Sequence, residues 1–274
     1  MLKHQDNELL TRTGPGTPMG NLFRRFWLPA LLPSELPTRD SDPIRFRILG
    51  EDLVAFRDTN GTVGFLGQHC PHRGASLFFG RNEECGIRCV YHGWKFDVEG
   101  NCVDMPNEPA ESDFKHKVKA TAYPSAEWGG FVWIYMGPPE KQPPLPNYHW
   151  CTLPGAENSQ VRKWMQESNY SQGVEGDLDS AHVSFLHRKF NNLDRPINYG
   201  APHLTTMETP FGFAYGARRP TGRGPASVPR PGGKRTPSRV AAARRSYPLL
   251  YPIDAGPSGR SEPPAERAPR TMGV

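Results

Sequence analysis

Two short segments constrain this chain more than any other part of it: Cys70-Pro71-His72-Arg73-Gly74 and Cys89-Val90-Tyr91-His92-Gly93-Trp94. Each brings one thiol and one imidazole into a stretch too small and too glycine-rich to be regular structure. The spacing is Cys-x-His, sixteen residues, then Cys-x-x-His. Two such loops can grip a binuclear centre from opposite sides, with Pro71, Gly74 and Gly93 letting each turn tightly. A Cys2His2 zinc site uses the same residue types. Zinc sites usually pair like ligands, however, whereas here each loop mixes a Cys with a His.

The surrounding sequence reads as short strands. Ile44 to Leu49 alternates apolar and basic, the period of a half-buried strand. Leu53–Phe56 and Val63–Leu66 flank Asn60-Gly61, which predicts a hairpin with positive φ at both turn positions. Ile87–Val90, Trp94–Phe96 and Phe131–Tyr135 add further strands, so residues from about 20 to 137 predict an antiparallel β domain. Five prolines between 138 and 146 make a stiff connector. Val161 to Phe190 is poor in β-branched residues and free of proline, which predicts helix, and Leu204 to Tyr215 opens a second sheet.

Composition marks a further boundary. Residues 218–274 hold eleven Arg, one Lys and three acids, a charge of +9 out of the +5 of the whole chain, so the rest is −4. Arg, Pro, Gly, Ala and Ser supply 41 of those 57 residues, with no Phe or Trp. Such a stretch cannot bury enough apolar surface to offset its ordering entropy and is expected to be disordered. With no nucleic-acid fold in view and a mildly acidic body, the basic tail does not make the chain a nucleic-acid binder. No run of eighteen apolar residues suggests a membrane span. Five cysteines, an odd and sparse number, argue against a disulfide scaffold, and no secretory signal precedes them. A reduced, cytoplasmic chain is expected.

The paired loops resemble the Rieske [2Fe–2S] motif, in which two Cys hold one iron and two His the other. The resemblance implies Cys70, His72, Cys89 and His92 as cluster ligands. Neither loop carries the extra bridging Cys of respiratory Rieske proteins. Cys85, Cys102 and Cys151 are then core or surface residues, and His69, next to Cys70, a bystander whose side chain points away from its ligand neighbour. Further on, Glu175-Gly176-Asp177-Leu178-Asp179-Ser180-Ala181-His182, followed by His187, extends the likeness to the α subunits of ring-hydroxylating oxygenases, above all the phthalate dioxygenase-like group. It runs from about residue 8 to 218.

That family resemblance implies a β-rich Rieske domain with an N-terminal extension (1–137), a proline-rich linker (138–146), a partial α+β, helix-grip-like catalytic domain (147–217) and the tail (218–274). It implies a mononuclear non-haem Fe(II) at His182 and His187, completed by a carboxylate and leaving open positions for O2 and substrate. Asp179, three residues before His182, can accept a hydrogen bond from its ring, and in the family the matching residue bridges the centres of neighbouring subunits. The partners implied are a flavin- or ferredoxin-type reductase, O2, an aromatic substrate and further copies in a trimer.

No carboxylate matching the third iron ligand that the resemblance implies is expected among the residues after His187. Asp194, Glu208, Asp254, Glu262 and Glu266 are the acids left after His187, and none stands in a matching context. The G- and C-rich codons implied after residue 217 suggest a shifted reading frame, and catalysis by this copy is expected to be impaired. Without its covering sheet, the chain beyond about 150 is expected to be loose. The alternative is a ferredoxin-like electron-transfer protein that uses the cluster alone.

Overall fold

The structure, a computed structural model, describes residues 2–152, 161–182, 186, 202–209 and 212–218. His187 and the tail from 219 onward lie outside the described residues.

Two short helices, α1 (His4–Thr11) and α2 (Pro18–Phe23), precede the first strand. Thr17 caps α2 by accepting from the Gly20 N–H at 3.1 Å, and Pro18 suits the first turn because its missing N–H is not needed there. Strands β1 (Trp27–Leu31), β10 (Ser125–Trp128) and β11 (Phe131–Tyr135) form one antiparallel sheet. A second contains β2 (Ile44–Ile48), β3 (Glu51–Arg57), β4 (Val63–Gly67) and β9 (Ala122–Tyr123). A third contains β5 (Arg81–Glu83), β6 (Gly86–Arg88), β7 (Lys95–Phe96) and β8 (Cys102–Asp104).

The second sheet is the middle layer. Along β3, Leu53 and Ala55 join a core with Leu28, Leu31, Val132 and Ile134 from the first sheet. Val54 and Phe56 point the other way, into a core with Ile87, Phe96 and Cys102 of the third. Because successive strand residues face opposite sides, a strand buried on both must be apolar throughout, which is why Leu53–Phe56 reads as an unbroken run. Each fully buried Phe or Leu in these layers contributes about 1.5–3 kcal/mol. The edge strand β2 keeps the alternation expected of it, with Arg45 and Arg47 exposed.

The hairpin at Asn60-Gly61 exists, but with a different turn. The Gly61 N–H donates to the Asp58 carbonyl at 2.9 Å, and the Asp58 carboxylate takes the Thr62 N–H at 2.8 Å. Gly61 has φ of 92°, whereas Asn60 is not among the described residues with positive φ. This is a three-residue loop with one left-handed glycine, stabilised by Asp58, rather than a two-residue turn. Turns with two left-handed residues stand instead at Leu49 (φ 48°) and Gly50 (φ 77°) between β2 and β3, at Glu84 (φ 48°) and Cys85 (φ 61°) between β5 and β6, and at Gly129 and Gly130 between β10 and β11.

The helix expected over 161–190 is mostly absent from the described residues. Only α3, Tyr170–Leu178, is helical, starting where Asn169 accepts the Ser171 N–H at 3.0 Å. Residues before it run over the β domain instead. Lys163 pairs with Glu35 at 2.9 Å, Asn169 donates to the Thr11 carbonyl at 2.8 Å, and the Tyr170 hydroxyl donates to Leu10 at 2.6 Å. Long-range contacts thus tie residues 163, 169 and 170 to the β domain and to α1. The proline-rich connector is tied down too, since Trp27 donates its indole N–H to the Pro143 carbonyl at 2.8 Å. Strands β12 (His203–Thr209) and β13 (Gly212–Arg218) form the expected second sheet as a hairpin, with Leu204, Met207 and Phe213 exposed.

Candidate metal centre

The two Cys/His loops have the same backbone shape although their ligand spacing differs. The Cys70 N–H donates to the Ala75 carbonyl at 2.8 Å and the Gly74 N–H to the Cys70 carbonyl at 2.9 Å. In the second loop, Cys89 N–H to Trp94 is 2.8 Å and Gly93 N–H to Cys89 is 3.0 Å. Both loops close on a left-handed glycine, Gly74 at φ 73° and Gly93 at φ 77°, a conformation that a Cβ would strain. The first follows β4 and leads to the Leu77–Phe79 turn, while the second joins β6 to β7.

This shape sorts the donors into two pairs. The thiols of Cys70 and Cys89 are buried in the core of the third sheet and lie within hydrogen-bonding reach of each other. The imidazoles of His72 and His92 meet edge-on at the partly exposed rim, with ring centroids 4.4 Å apart. Among the described residues no group of three or more His, Cys, Asp or Glu side chains stands as a single-ion site would require. A thiol pair beside an imidazole pair instead matches the donor set of a binuclear centre with one iron on sulfur and one on nitrogen.

The electrostatics agree with that fit. Burial pushes the Cys70 thiol up to about 11, the neighbouring Cys89 adds to the rise, and backbone N–H groups of His72 and Arg73 oppose it. A buried thiol of this kind becomes a thiolate only beside a cation, and N–H groups aimed at sulfur stabilise that charge. Desolvation, then the nearby His92 and Arg73, lower the His72 pKa and favour the neutral, ligating imidazole. Trp94 lies flat against His72, while Pro106 lies 2.7 Å from where a Cβ on Gly93 would stand.

All five cysteines are free thiols. Cys102 and Cys151 are buried and Cys85 is partly buried, in keeping with their expected place outside the donor set. His69 Nδ1 lies 3.0 Å from the Gly74 carbonyl oxygen, so its ring lies against the loop.

The second constellation lies just past α3. The expected hydrogen bond is present, His182 Nδ1 to Asp179 Oδ2 at 3.0 Å, but not along a helix face. Asp179 ends α3, and its other oxygen accepts the Ala181 N–H at 2.6 Å, which folds the chain back so that His182 reaches the carboxylate. That N–H first and His182 second hold the Asp179 carboxyl below its ordinary range. The Leu186 N–H donates to the His182 carbonyl at 2.8 Å. Glu175 stands exposed on α3 and Glu208 on β12, and the other candidate acids lie outside the described residues.

Known proteins match this arrangement. A family model described as the Rieske [2Fe-2S] domain matches residues 26–124. The 3-chlorobenzoate-3,4-dioxygenase oxygenase subunit of Comamonas testosteroni is 46% identical over 224 residues, covering 79% of this chain and 51% of the relative. The phthalate 4,5-dioxygenase oxygenase subunit of Pseudomonas putida is 44% identical over 234 residues, covering 80% and 53%. Among solved structures, dicamba monooxygenase bound to 3,6 dichlorosalicylic acid aligns with a TM-score of 0.55 at 25% identity, over 71% of this chain and 55% of that one. The chain spans about half the length of the curated relatives it matches. Its β domain, its two glycine-hinged loops and these identities together place the chain in the family of Rieske non-haem iron oxygenase α subunits, in the phthalate dioxygenase-like group.

Proposed function

We propose that the chain works as the oxygenase component of an aromatic-ring-hydroxylating system. Cys70, His72, Cys89 and His92 would hold a [2Fe–2S] cluster, for which a partner redox protein of the reductase or ferredoxin type would be the electron source. His182 and His187 would hold a mononuclear iron. The observation that carries this reading is the matched pair of loops, which buries two thiols together and leaves two imidazoles together at the rim. When bound, the cluster supplies one-electron transfer and the Fe(II) supplies O2 activation.

The residues of the chain supply the rest. Cys70 and Cys89 hold their end of the cluster in a dry core, while His72 and His92 keep the other end near the surface. Asp179 accepts the Nδ1–H of His182, which fixes the tautomer and makes Nε2 the nitrogen that would bind a metal. The same carboxylate, exposed on one side, is the polar link toward an imidazole of a neighbouring subunit's cluster in a trimer. An aromatic carboxylate is the substrate class, as in the names of the two relatives above.

Electron paramagnetic resonance of the reduced chain tests the cluster, and iron analysis tests the second site. A Rieske signal with three irons per chain supports the full reading. Two irons would leave cluster-only electron transfer, and no Rieske signal would reject both. Oxygen consumption driven by phthalate or 3-chlorobenzoate with a reductase present then tests the substrate class.

A further inference from the structure

Each ligand loop has a side chain laid across its mouth, and in both it comes from the residue directly before the cysteine. His69 places Nδ1 3.0 Å from the carbonyl oxygen of Gly74. Arg88 donates from Nη1 to the carbonyl of Gly93 at 2.7 Å. Gly74 and Gly93 occupy the same place in the two loops, four residues after Cys70 and Cys89. A carbonyl oxygen only accepts, so the His69 proton sits on Nδ1. The contact therefore recurs with different chemistry, an imidazole N–H in one loop and a guanidinium in the other.

The two differ in how they are held. Arg88 is largely buried, donating from Nε to Glu83 at 2.6 Å and from Nη1 to Asp104 at 2.7 Å. Its carboxylate partners come from β5 and β8, the strands that flank β6 and β7. Glu83 also pairs with Arg81 at 3.1 Å through its other oxygen, and Lys95 engages Glu84 at 3.0 Å. The guanidinium is thus fixed by the sheet before it reaches the loop. His69 is exposed and is placed by its isolated pairing with Ser76.

We infer that His69 and Arg88 are positioning residues that hold the two ligand loops closed, Arg88 from a rigid base and His69 from the surface. A left-handed glycine lets the following peptide swing unless its carbonyl is held. Holding Gly93 fixes the residue next to His92, and holding Gly74 fixes the turn that follows His72. The inference rests on the cluster reading given above. A lysine cannot replace Arg88, because a single ammonium cannot serve a carbonyl and two carboxylates in the planar geometry of the fork.

The test uses the full chain loaded with iron and sulfide, as Arg88→Gln, Arg88→Lys, His69→Phe and His69→Gln. Iron and sulfide loss to a chelator, the g values of the reduced signal and the midpoint potential are read, with far-UV circular dichroism to follow the fold. Arg88→Gln should lose its cluster roughly ten-fold faster than wild type, with Arg88→Lys closer to it than to wild type. His69→Phe should shift the signal and potential with the fold intact, and His69→Gln, whose amide can still donate, should restore them. Wild-type loss rates, g values and potentials in both Arg88→Gln and His69→Phe would overturn the inference. If Arg88→Gln does not fold, the surface pair His69→Phe and His69→Gln decides it. A wild-type chain without a Rieske signal would instead overturn the cluster reading itself.

Discussion

The indole of Trp94 lies parallel to the imidazole of His72, with ring centroids 4.3 Å apart and 9° between the planes. Its N–H donates to Asn107 Oδ1 at 2.9 Å, so the stack is fixed from the far side of the indole. Trp94→Ala should cost about 3–5 kcal/mol through lost packing. Trp94→Phe keeps a ring against His72 but loses the donor to Asn107, at about 1–2 kcal/mol. Urea denaturation of the three proteins checks the order, and a Phe variant as damaged as Ala would show that the N–H, not the stack, matters.

The two loop glycines should respond unequally to alanine. Both have positive φ, so either substitution carries about 1–2 kcal/mol of backbone strain. A Cβ on Gly74 meets nothing within 4 Å, whereas one on Gly93 would stand 2.7 Å from Pro106 Cγ. Gly93→Ala is therefore expected to be clearly the worse in thermal unfolding. Equal losses would mean that Pro106 yields freely.

Cys102 should make the fold sensitive to alkali. Burial pushes its thiol from near 9 up to about 11, and the charge of Asp104 adds to the rise. The folded pKa lies above the unfolded one, so this contribution is complete below about pH 9 and is lost as pH climbs through about 11. Cys102→Ala removes that dependence. Unfolding midpoints measured from pH 8 to 11 should fall more steeply in wild type than in the variant.

Tyr170 should govern how firmly α3 stays on the N-terminal helices. It meets the Phe23 ring edge-on at 4.8 Å and donates to the Leu10 carbonyl at 2.6 Å. Such an aromatic pair is worth about 0.5–1.5 kcal/mol and the hydrogen bond about 1 kcal/mol. Tyr170→Ala should open residues 161–178 to protease while the β domain keeps its unfolding midpoint. Unchanged cleavage would show that Lys163 and Asn169 suffice.

Leu49 opposes local strain against burial. Its left-handed φ of 48° costs about 1–2 kcal/mol, yet the side chain is fully buried in the first core. Truncating a buried leucine costs about 2–5 kcal/mol, which exceeds the relief. Leu49→Gly should therefore destabilise, although glycine suits the turn. A stabilised variant in chemical denaturation would reverse that ranking.

The candidate site was largely legible because its signals are local. Thiol and imidazole donors, and the glycines that hinge them, sit within five or six residues of one another. The three-residue spacing of Asp179 and His182 also anticipated the hydrogen bond between them. Its geometry was not readable, because Asp179 ends α3 and bends the chain through the Ala181 N–H instead of presenting a shared face. His69 and Arg88 carried no signal of their own. Their place across the loop mouths depends on a backbone shape that repeats at the two sites.

The sequence determined the β layers, the paired loops and the family, since apolar runs, turn residues and ligand spacing act over a few residues. Tertiary structure alone decided which turn was left-handed at Leu49, where burial outweighs local preference. It also decided that residues 161–169 form no helix, although their composition suits one. Lys163 finds Glu35 128 residues away, and Asn169 and Tyr170 find α1 across similar separations. Contacts of that range set the path of the backbone, and no window of neighbouring residues contains them.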